Sequence, residues 1–234
     1  MTLVLLLIEV ATAFNNSWAA VIIDTRFDSA VVSSISNARH HMPRYATIYI
    51  LTGRENWPSV DNVLRDMPNV QIIYYNFVSS SQRDYNSFLL SKEMWNLFKE
   101  EYILVFHRDS RFCSYSHQRI ERFIGHYDFI GAPWSEQITE GVQIGNGGFS
   151  LRCRQAMLRC VESEHLVHEW NEDASMVHCL KKLGLRLPSI EIASEFSVET
   201  IRFSKNIPLA IHKAWHYIDK DFELARYCPE SVKI

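Results

Sequence analysis

Four short segments of the sequence carry side chains that could act together on a phosphorylated ligand. They are His107-Arg108-Asp109-Ser110, Gly145-Asn146-Gly147-Gly148, Glu172-Asp173 and His212-Lys213. Carboxylates and imidazoles can hold a divalent cation, and Lys or Arg can neutralise a phosphate group. A carboxylate can also take a proton from a hydroxyl group. These are the residue types that a metal-assisted reaction at a diphosphate would need.

Each segment also has an ordinary structural explanation. Asp109, followed by a serine, could form a turn or cap a helix. The glycines of residues 145–148 could let the backbone approach a ligand, or they could form a tight hairpin turn. Acidic residues such as Glu172 and Asp173 complement the dipole at the start of a helix. His212 could be a structural histidine, so the residues alone leave the alternatives open.

Several other kinds of site are not supported. His107-Arg108-Asp109 matches three letters of the kinase catalytic loop, but Ser114 stands where that motif needs Asn. No G-x-G-x-x-G or G-K-[ST] follows a predicted strand, which argues against dinucleotide and P-loop phosphate sites. The five cysteines form no C-x-x-C pair and are odd in number. This pattern favours buried free thiols over a zinc ribbon or a fully paired disulfide framework.

The composition is that of a folded protein with no general affinity for nucleic acid. Of 234 residues, 47% are hydrophobic and 22% are charged, which excludes a disordered chain. Because 24 basic residues are balanced by 27 acidic ones, for a net charge of -3, we expect no nucleic-acid partner. The length fits one large domain, which we place at residues 18–234.

The elements that must position these segments alternate between strand and helix. Apolar runs predict buried parallel strands at 19–24, 46–51, 70–75 and 102–106. Helices are predicted between them at 29–42 and 60–67, and one or two helices at 83–100. The second half has a strand-like stretch at 127–131 and helical stretches at 154–163 and 173–183. This order predicts an α/β fold with a mostly parallel sheet flanked by helices, Rossmann-like in its first half. Ligands of such sheets bind beyond the carboxyl ends of the strands. Four segments would lie there, namely Asp24-Thr25-Arg26, Thr52-Gly53, the residues from Asn76 onward, and residues 107–110.

Taken in order, these segments resemble the nucleotide-sugar glycosyltransferases with the GT-A fold, and more narrowly the family known as domain of unknown function 5672. The resemblance covers about residues 19–217. It rests on seven blocks in the same order, which are 21–26, 84–91 with Trp95, 102–110, 127–134, 145–152, 196–199 and 212–215. It implies a nucleotide-binding half at about 18–110 and an acceptor half at about 111–234.

The resemblance also implies a metal site. Asp109 matches the position of the D-x-D motif that usually touches Mn²⁺ or Mg²⁺, but His107 replaces the first aspartate of that motif. His212 matches a C-terminal histidine that many of these enzymes use as a second ligand. The replaced aspartate leaves a second option, in which Arg108 stabilises the leaving diphosphate without a metal.

The remaining roles follow from the same resemblance. Donor-binding residues would be Thr25, Arg26, Arg83, Asp84, Arg108, Asp109, Ser110 and Lys213. Trp134 and the loop Gly145, Asn146, Gly147 and Gly148 would line the donor sugar and the acceptor. Asp173 is the first candidate for the general base and Glu172 the second, as in inverting members.

The predicted function is transfer of a sugar from a nucleotide-sugar donor to a hydroxyl group of a glycan or protein, with a UDP-sugar as the favoured donor and a GDP-sugar as the alternative. Two other classes remain open. A nucleotidyltransferase or sugar-nucleotide hydrolase usually needs a second metal-binding carboxylate beside Asp109. A non-catalytic relic would bind a nucleotide or sugar without changing it.

The first 17 residues are predicted to be a lead-in, either an extra strand or a weak signal-like segment. The apolar run at 3–8 lacks a basic region before it and is too short to span a bilayer. Asn15-Asn16-Ser17 would be a glycosylation site only in a secretory compartment. We therefore expect no transmembrane span and favour the cytoplasm, with the secretory pathway as the alternative.

Overall fold

The computed structural model describes residues 17–64, 67–75, 81–137, 141–202, 204–214, 226 and 228–232. Apart from Ser17, the predicted lead-in and its glycosylation sequence lie outside the described residues. Trp215, the last residue of the resembling blocks, and residues 76–80, expected at the ligand-binding edge of the sheet, also lie outside them.

The described residues build a six-stranded central sheet in the order β3-β2-β1-β4-β7-β6. Four neighbouring strands are parallel, namely β1 (Trp18–Ile23), β2 (Thr47–Thr52), β3 (Val70–Tyr74) and β4 (Tyr102–Phe106). The strand β7 (Phe149–Cys153) runs antiparallel to both β4 and β6 (Phe129–Gly131). The strands β1 and β4 are buried along their whole length, as their unbroken apolar runs require. The predicted α/β fold with a mostly parallel sheet is confirmed.

The helices of the first half are α1 (Ser29–His41), α2 (Trp57–Leu64), α3 (Gln82–Leu89) and α4 (Lys92–Asn96). The helical stretch predicted at 83–100 is two helices, because Ser81 and Ser91 each begin a helix. The hydroxyl oxygen of each serine accepts a hydrogen bond from a backbone N–H three residues later. Among the described residues, none of the helices is both long and apolar enough to cross a membrane.

The second half carries the helices α5 (Arg154–Val161), α6 (Glu172–Lys182) and α7 (Ile190–Phe196). It also completes a small second sheet of β5 (Ser110–Phe112), β9 (Ala210–His212) and β8 (Ser197–Val198), in the order β5-β9-β8. Strands of two or three residues carry no periodicity, so the sequence did not predict this sheet. It matters for the site because β5 begins directly after Asp109, and its register sets Ser110 opposite His212.

The prediction of free thiols is wrong for four of the five cysteines. Cys113 is bonded to Cys228 and Cys160 to Cys179, while Cys153 is buried and unpaired. The partners are 115 and 19 residues apart, so local spacing could not reveal them. One bond joins α5 to α6, and the other joins the end of β5 to a short helix at Pro229–Val232.

Candidate active site

An open cleft of about 350 Å³ lies beyond the carboxyl ends of β1 and β4, where a parallel sheet is expected to bind ligands. Strand β1 and the residues after it contribute Ile23, Asp24, Thr25 and Arg26 to its wall, and the turn after β4 contributes His107, Arg108 and Asp109. The start of α3 and the residue after β9 add Ser81, Gln82, Tyr85 and Lys213. Five of the predicted donor-binding residues therefore share one cleft.

Arg108, in the turn after β4, forms ion pairs with two carboxylates that follow β1. One of its guanidinium nitrogens lies 3.4 Å from Oδ2 of Asp24, and another contacts the carboxylate of Asp28. Burial alone would lower the pKa of Arg108, but these carboxylates outweigh it and raise the pKa. Because its charge is already balanced, Arg108 is less available to a phosphate than Lys213. Lys213 also lines the cleft, and its ammonium lies 3.5 Å from Oδ2 of Asp109.

Asp109 and His212 form the centre of the site. The register of β5 and β9 sets Nε2 of His212 3.2 Å from Oδ1 of Asp109. Both atoms are buried and neither makes a hydrogen bond. Buried polar atoms without hydrogen bonds are costly, and a shared cation would satisfy both of them.

The other side of the His212 ring is fixed by two acceptor oxygens. Its Nδ1 lies 2.9 Å from Oδ1 of Asn146 and 3.2 Å from Oε1 of Glu199. Asn146 in turn donates a hydrogen bond of 2.6 Å to Glu199 and accepts one of 3.1 Å from the backbone N–H of Gly148. Asn146 therefore orients His212, a more specific task than lining a sugar pocket.

His107 stands beside this pair. Its Nε2 lies 2.7 Å from the hydroxyl of Tyr85, and its ring centroid lies 5.1 Å from that of His212. Burial, reinforced by the charge of His212, lowers the pKa of His107 to about 3, so the imidazole is neutral near pH 7. Ligand atoms of His107, Asp109 and His212 all lie within 4.8 Å of one another, close enough to hold one metal ion.

The charges of this cluster stabilise one another. Burial acts to raise the pKa of Asp109, but contact with His212 and the charges of His212 and Lys213 outweigh it, so the pKa is lowered. Burial likewise acts to lower the pKa of His212, but Asp109 and Glu199 outweigh it and raise the pKa. Asp109 is therefore a carboxylate near pH 7, as a metal ligand must be.

Asp173 lies in the first turn of α6 and contacts the glycine loop, which is formed by residues 145–148. Its Oδ2 accepts a hydrogen bond of 2.9 Å from the backbone N–H of Gly147. Burial, helped by the charge of Glu172, raises the pKa of Asp173 to about 6. A carboxyl group with a pKa near neutrality is suited to proton transfer.

Glu172 is held differently. Both of its carboxylate oxygens accept hydrogen bonds from the buried guanidinium of Arg152, at 2.6 and 2.9 Å. Arg152 also donates to the hydroxyl of Ser150 and the carbonyl of Gly147. The Arg152–Glu172 pair therefore stabilises the conformation of the glycine loop. With both oxygens occupied, Glu172 is the weaker of the two predicted bases.

Other predicted residues lie outside the cleft lining. Arg83 is exposed on α3, and Asp84 contacts Ser81 at the start of that helix. Ser110 is buried and donates to the carbonyl of Gly148, and Trp134 is buried with its backbone paired to Gln143. Gly145 packs against Val177 with a φ of 117°. The donor and acceptor roles predicted for these residues stay predictions.

Three residues of this site were not identified from the sequence, namely Tyr85, Glu199 and Arg152. Each acts through a contact with a residue far away in the chain, so local patterns carry no signal for it. All three do lie within blocks of the resemblance, at 84–91, 145–152 and 196–199. That placement was the signal that could have marked them.

The family described as "Protein of unknown function (DUF5672)" matches residues 69–212, which is more than half of the chain. The matched region begins just before β3 and ends at His212. It therefore includes every member of the site except Lys213 and those in β1 or in the residues after it. No curated protein matches the sequence.

Solved structures share the fold at low identity. The glycosyltransferase GlyE of Streptococcus pneumoniae TIGR4 aligns with a TM-score of 0.50 and 14% identity, over 88% of this chain and 56% of that chain. S. aureus TarS in complex with UDP-GlcNAc aligns at 0.46 and 11%, over 70% and 52%. The 4-diphosphocytidyl-2C-methyl-D-erythritol synthase of Anaerococcus prevotii DSM 20548 aligns at 0.46 and 8%, over 73% and 84%.

The chain spans about half the length of the two glycosyltransferases it matches. The alignment with GlyE shows a common fold, and an identity this low does not transfer an activity. This GT-A-like fold agrees with the α/β architecture expected from the sequence.

Proposed function

We propose a function for this chain, which belongs to the family described as protein of unknown function (DUF5672), from the geometry of its cleft. It transfers a sugar from a nucleotide-sugar donor to a hydroxyl group of a glycan or protein. One observation carries this proposal. The loop 145–148 contacts His212 through Asn146 and Asp173 through the backbone N–H of Gly147. A candidate cation site and a candidate base are thus fixed by one short loop.

The cluster around Asp109 fits a divalent cation. Oδ1 of Asp109 and Nε2 of His212 are buried without hydrogen bonds, and His107 adds a third possible ligand. When bound, Mn²⁺ or Mg²⁺ would stabilise negative charge on the diphosphate of the donor. Lys213 adds a positive charge at the same end of the cleft.

The transfer itself is a single displacement. Asp173 takes the proton of the acceptor hydroxyl while that oxygen bonds to the anomeric carbon of the donor sugar. The bond between that carbon and the diphosphate oxygen breaks at the same time, and the nucleoside diphosphate leaves with the electron pair. Thr25 and Arg26, on the cleft wall after β1, would contact the nucleoside. A backside attack of this kind inverts the anomeric configuration.

The first experiment is a thermal-shift panel of UDP-, GDP- and TDP-sugars, each with Mn²⁺ and with EDTA. A donor at a hundred times its dissociation constant adds about 2.7 kcal/mol of stability, which raises the melting temperature measurably. We expect a UDP-sugar to stabilise the protein with Mn²⁺ and to lose most of this effect with EDTA. Donors that bind are then incubated with glycan and peptide acceptors, and products are identified by mass spectrometry.

Two variants separate binding from chemistry. Asp109→Ala should lose the metal-dependent thermal shift, while Asp173→Asn should keep it and lose transfer. Release of free sugar without transfer would indicate a hydrolase, and binding without either product would indicate a relic. No shift with any donor, in protein that is folded by circular dichroism, would contradict the proposed site.

A further inference from the structure

The metal cluster contains an imidazole where the resembling enzymes have a carboxylate. Its three potential ligands are His107, Asp109 and His212, and their ligand atoms lie within 4.8 Å of one another. Metal–ligand bonds to nitrogen and oxygen are about 2.0–2.2 Å long, so small side-chain rotations would bring all three onto one ion. The cluster therefore offers two nitrogen ligands and one carboxylate.

His212 is already oriented as a ligand. Its Nδ1 faces Oδ1 of Asn146 and Oε1 of Glu199, which can only accept hydrogen bonds, so Nδ1 must carry a proton. Its Nε2 is then directed at Oδ1 of Asp109. A histidine whose second nitrogen donates to a carboxylate or an amide oxygen is the usual arrangement of a metal-bound imidazole.

His107 is held in a comparable way. The hydroxyl of Tyr85 lies 2.7 Å from its Nε2 and fixes the orientation of the ring. Its backbone N–H donates to the carbonyl of Gly148 at 2.9 Å, so the main chain is fixed as well. The ring meets that of His212 edge-on at 5.1 Å, beside the carboxylate of Asp109.

We propose that His107 is the third protein ligand of the cation and that it makes this site select a transition metal over Mg²⁺. Mg²⁺ prefers oxygen ligands in a strict octahedral arrangement, and Mn²⁺ shares its preference for oxygen, whereas imidazole suits Zn²⁺ and Fe²⁺. Across the first-row divalent ions the affinity of such a site rises from Mn²⁺ through Co²⁺, and Zn²⁺ binds two imidazoles and a carboxylate well. The inference rests on the proposed function only in what the bound cation does. Metal binding itself is measured without any sugar donor.

The test is calorimetric titration of the metal-free protein with Zn²⁺, Mn²⁺ and Mg²⁺. We expect one Zn²⁺ per chain, weaker binding of Mn²⁺, and no displacement of either by Mg²⁺ at equal concentration. His107→Asp restores a carboxylate at the first position of the triplet. It should weaken Zn²⁺ binding by at least about tenfold and strengthen Mg²⁺ binding, which reverses the preference.

His126→Asp makes the same change at an exposed histidine outside the cluster and should leave all three affinities unchanged. Circular dichroism and the melting temperature establish that each variant is folded. If His107→Asp binds the three metals as the unchanged protein does, or if the unchanged protein binds Mg²⁺ as tightly as Mn²⁺, the inference is wrong. If His107→Asp does not fold, His107→Gln is used in its place. That variant should weaken Zn²⁺ binding without strengthening Mg²⁺ binding.

The outcomes for metal and for sugar transfer are independent. Selective metal binding without any sugar transfer would support the ligand set and contradict the proposed function. Sugar transfer that persists in EDTA, by protein that binds no metal, would support the function and overturn this inference.

Discussion

Gly148 lies directly against the ring of His212. A Cβ atom at position 148 would be 2.1 Å from Cε1 of that ring, far closer than real Cβ contacts. The glycine is therefore required by the imidazole, because the backbone must leave room for a candidate metal ligand. A positive φ does not explain why residue 148 is a glycine, because among residues 145–148 the left-handed φ occurs at Gly145.

Gly148→Ala should displace the His212 ring and abolish metal-dependent stabilisation. Overpacking of this kind costs about 1–3 kcal/mol of the free energy of unfolding. The measurement is urea denaturation of four proteins, namely the unchanged chain, Gly148→Ala, His212→Ala and the double variant. Removing the ring leaves space for the new methyl group, so the cost should largely disappear in the His212→Ala background. An equal cost in both backgrounds would mean that the contact does not constrain the ring.

Asp173 gives the proposed reaction its pH dependence. Its pKa is raised to about 6, mainly by burial, and a general base must be deprotonated to act. We expect kcat/KM to rise about tenfold per pH unit below pH 6 and to level off above it, because only the carboxylate form reacts. Asp173→Asn should lower kcat by about 10²–10⁴ and remove this rise of activity with pH. If the residual activity of Asp173→Asn still rises with pH below pH 6, another group is responsible for the pH dependence.

The four parallel strands of the central sheet were predictable because their sequence signal is local, whereas β7 was not among the predicted strands. The strand predicted at 102–106 has the same bounds in the structure, and α1 differs from its prediction by one residue. Continuous apolar runs mark strands buried on both faces, and the spacing of Val31, Ile35 and Ala38 marks the buried face of α1. These patterns are set within a few residues of chain.

The candidate site was predictable only in its separate pieces. Asp109 and His212 were each identified, but their contact depends on the register of β5 with β9, two strands of three residues each. Nothing local specifies that register. The roles of Tyr85 and Glu199 were missed for the same reason, since each depends on one hydrogen-bonding contact with a histidine distant in the chain.

Glu172 should prove to be structural. It is buried and paired through two hydrogen bonds with Arg152, whose side chain is fully buried. Glu172→Ala leaves that cation without a partner, which typically costs about 3–5 kcal/mol of the free energy of unfolding. Asp173→Asn should cost much less, because the amide can keep a contact with the N–H of Gly147.

Urea denaturation and a donor thermal shift on both variants distinguish these roles. A Glu172→Ala protein as stable as the unchanged chain, yet unable to transfer sugar, would make Glu172 the base instead.

The two disulfides should make stability depend on the redox state. In the chain-entropy model a crosslink across 19 residues contributes about 3 kcal/mol and one across 115 about 5 kcal/mol. Disulfides persist in oxidising compartments, so the test uses chain produced under oxidising conditions, and the compartment expected from the sequence stays a prediction. Chain produced in an oxidising host should yield the peptides Cys113–Cys228 and Cys160–Cys179 by non-reducing mass spectrometry, and reductant should lower its urea midpoint.

Cys153→Ser is the matched control, because Cys153 is unpaired and its replacement should leave the effect of reductant unchanged. Two double variants show how much stability each disulfide contributes. They are Cys160→Ser with Cys179→Ser, and Cys113→Ser with Cys228→Ser. The second pair should also weaken metal binding, because Cys113 directly follows β5, which follows Asp109. Five alkylatable thiols in the unchanged chain from the oxidising host, with no effect of reductant on its stability, would refute the pairing.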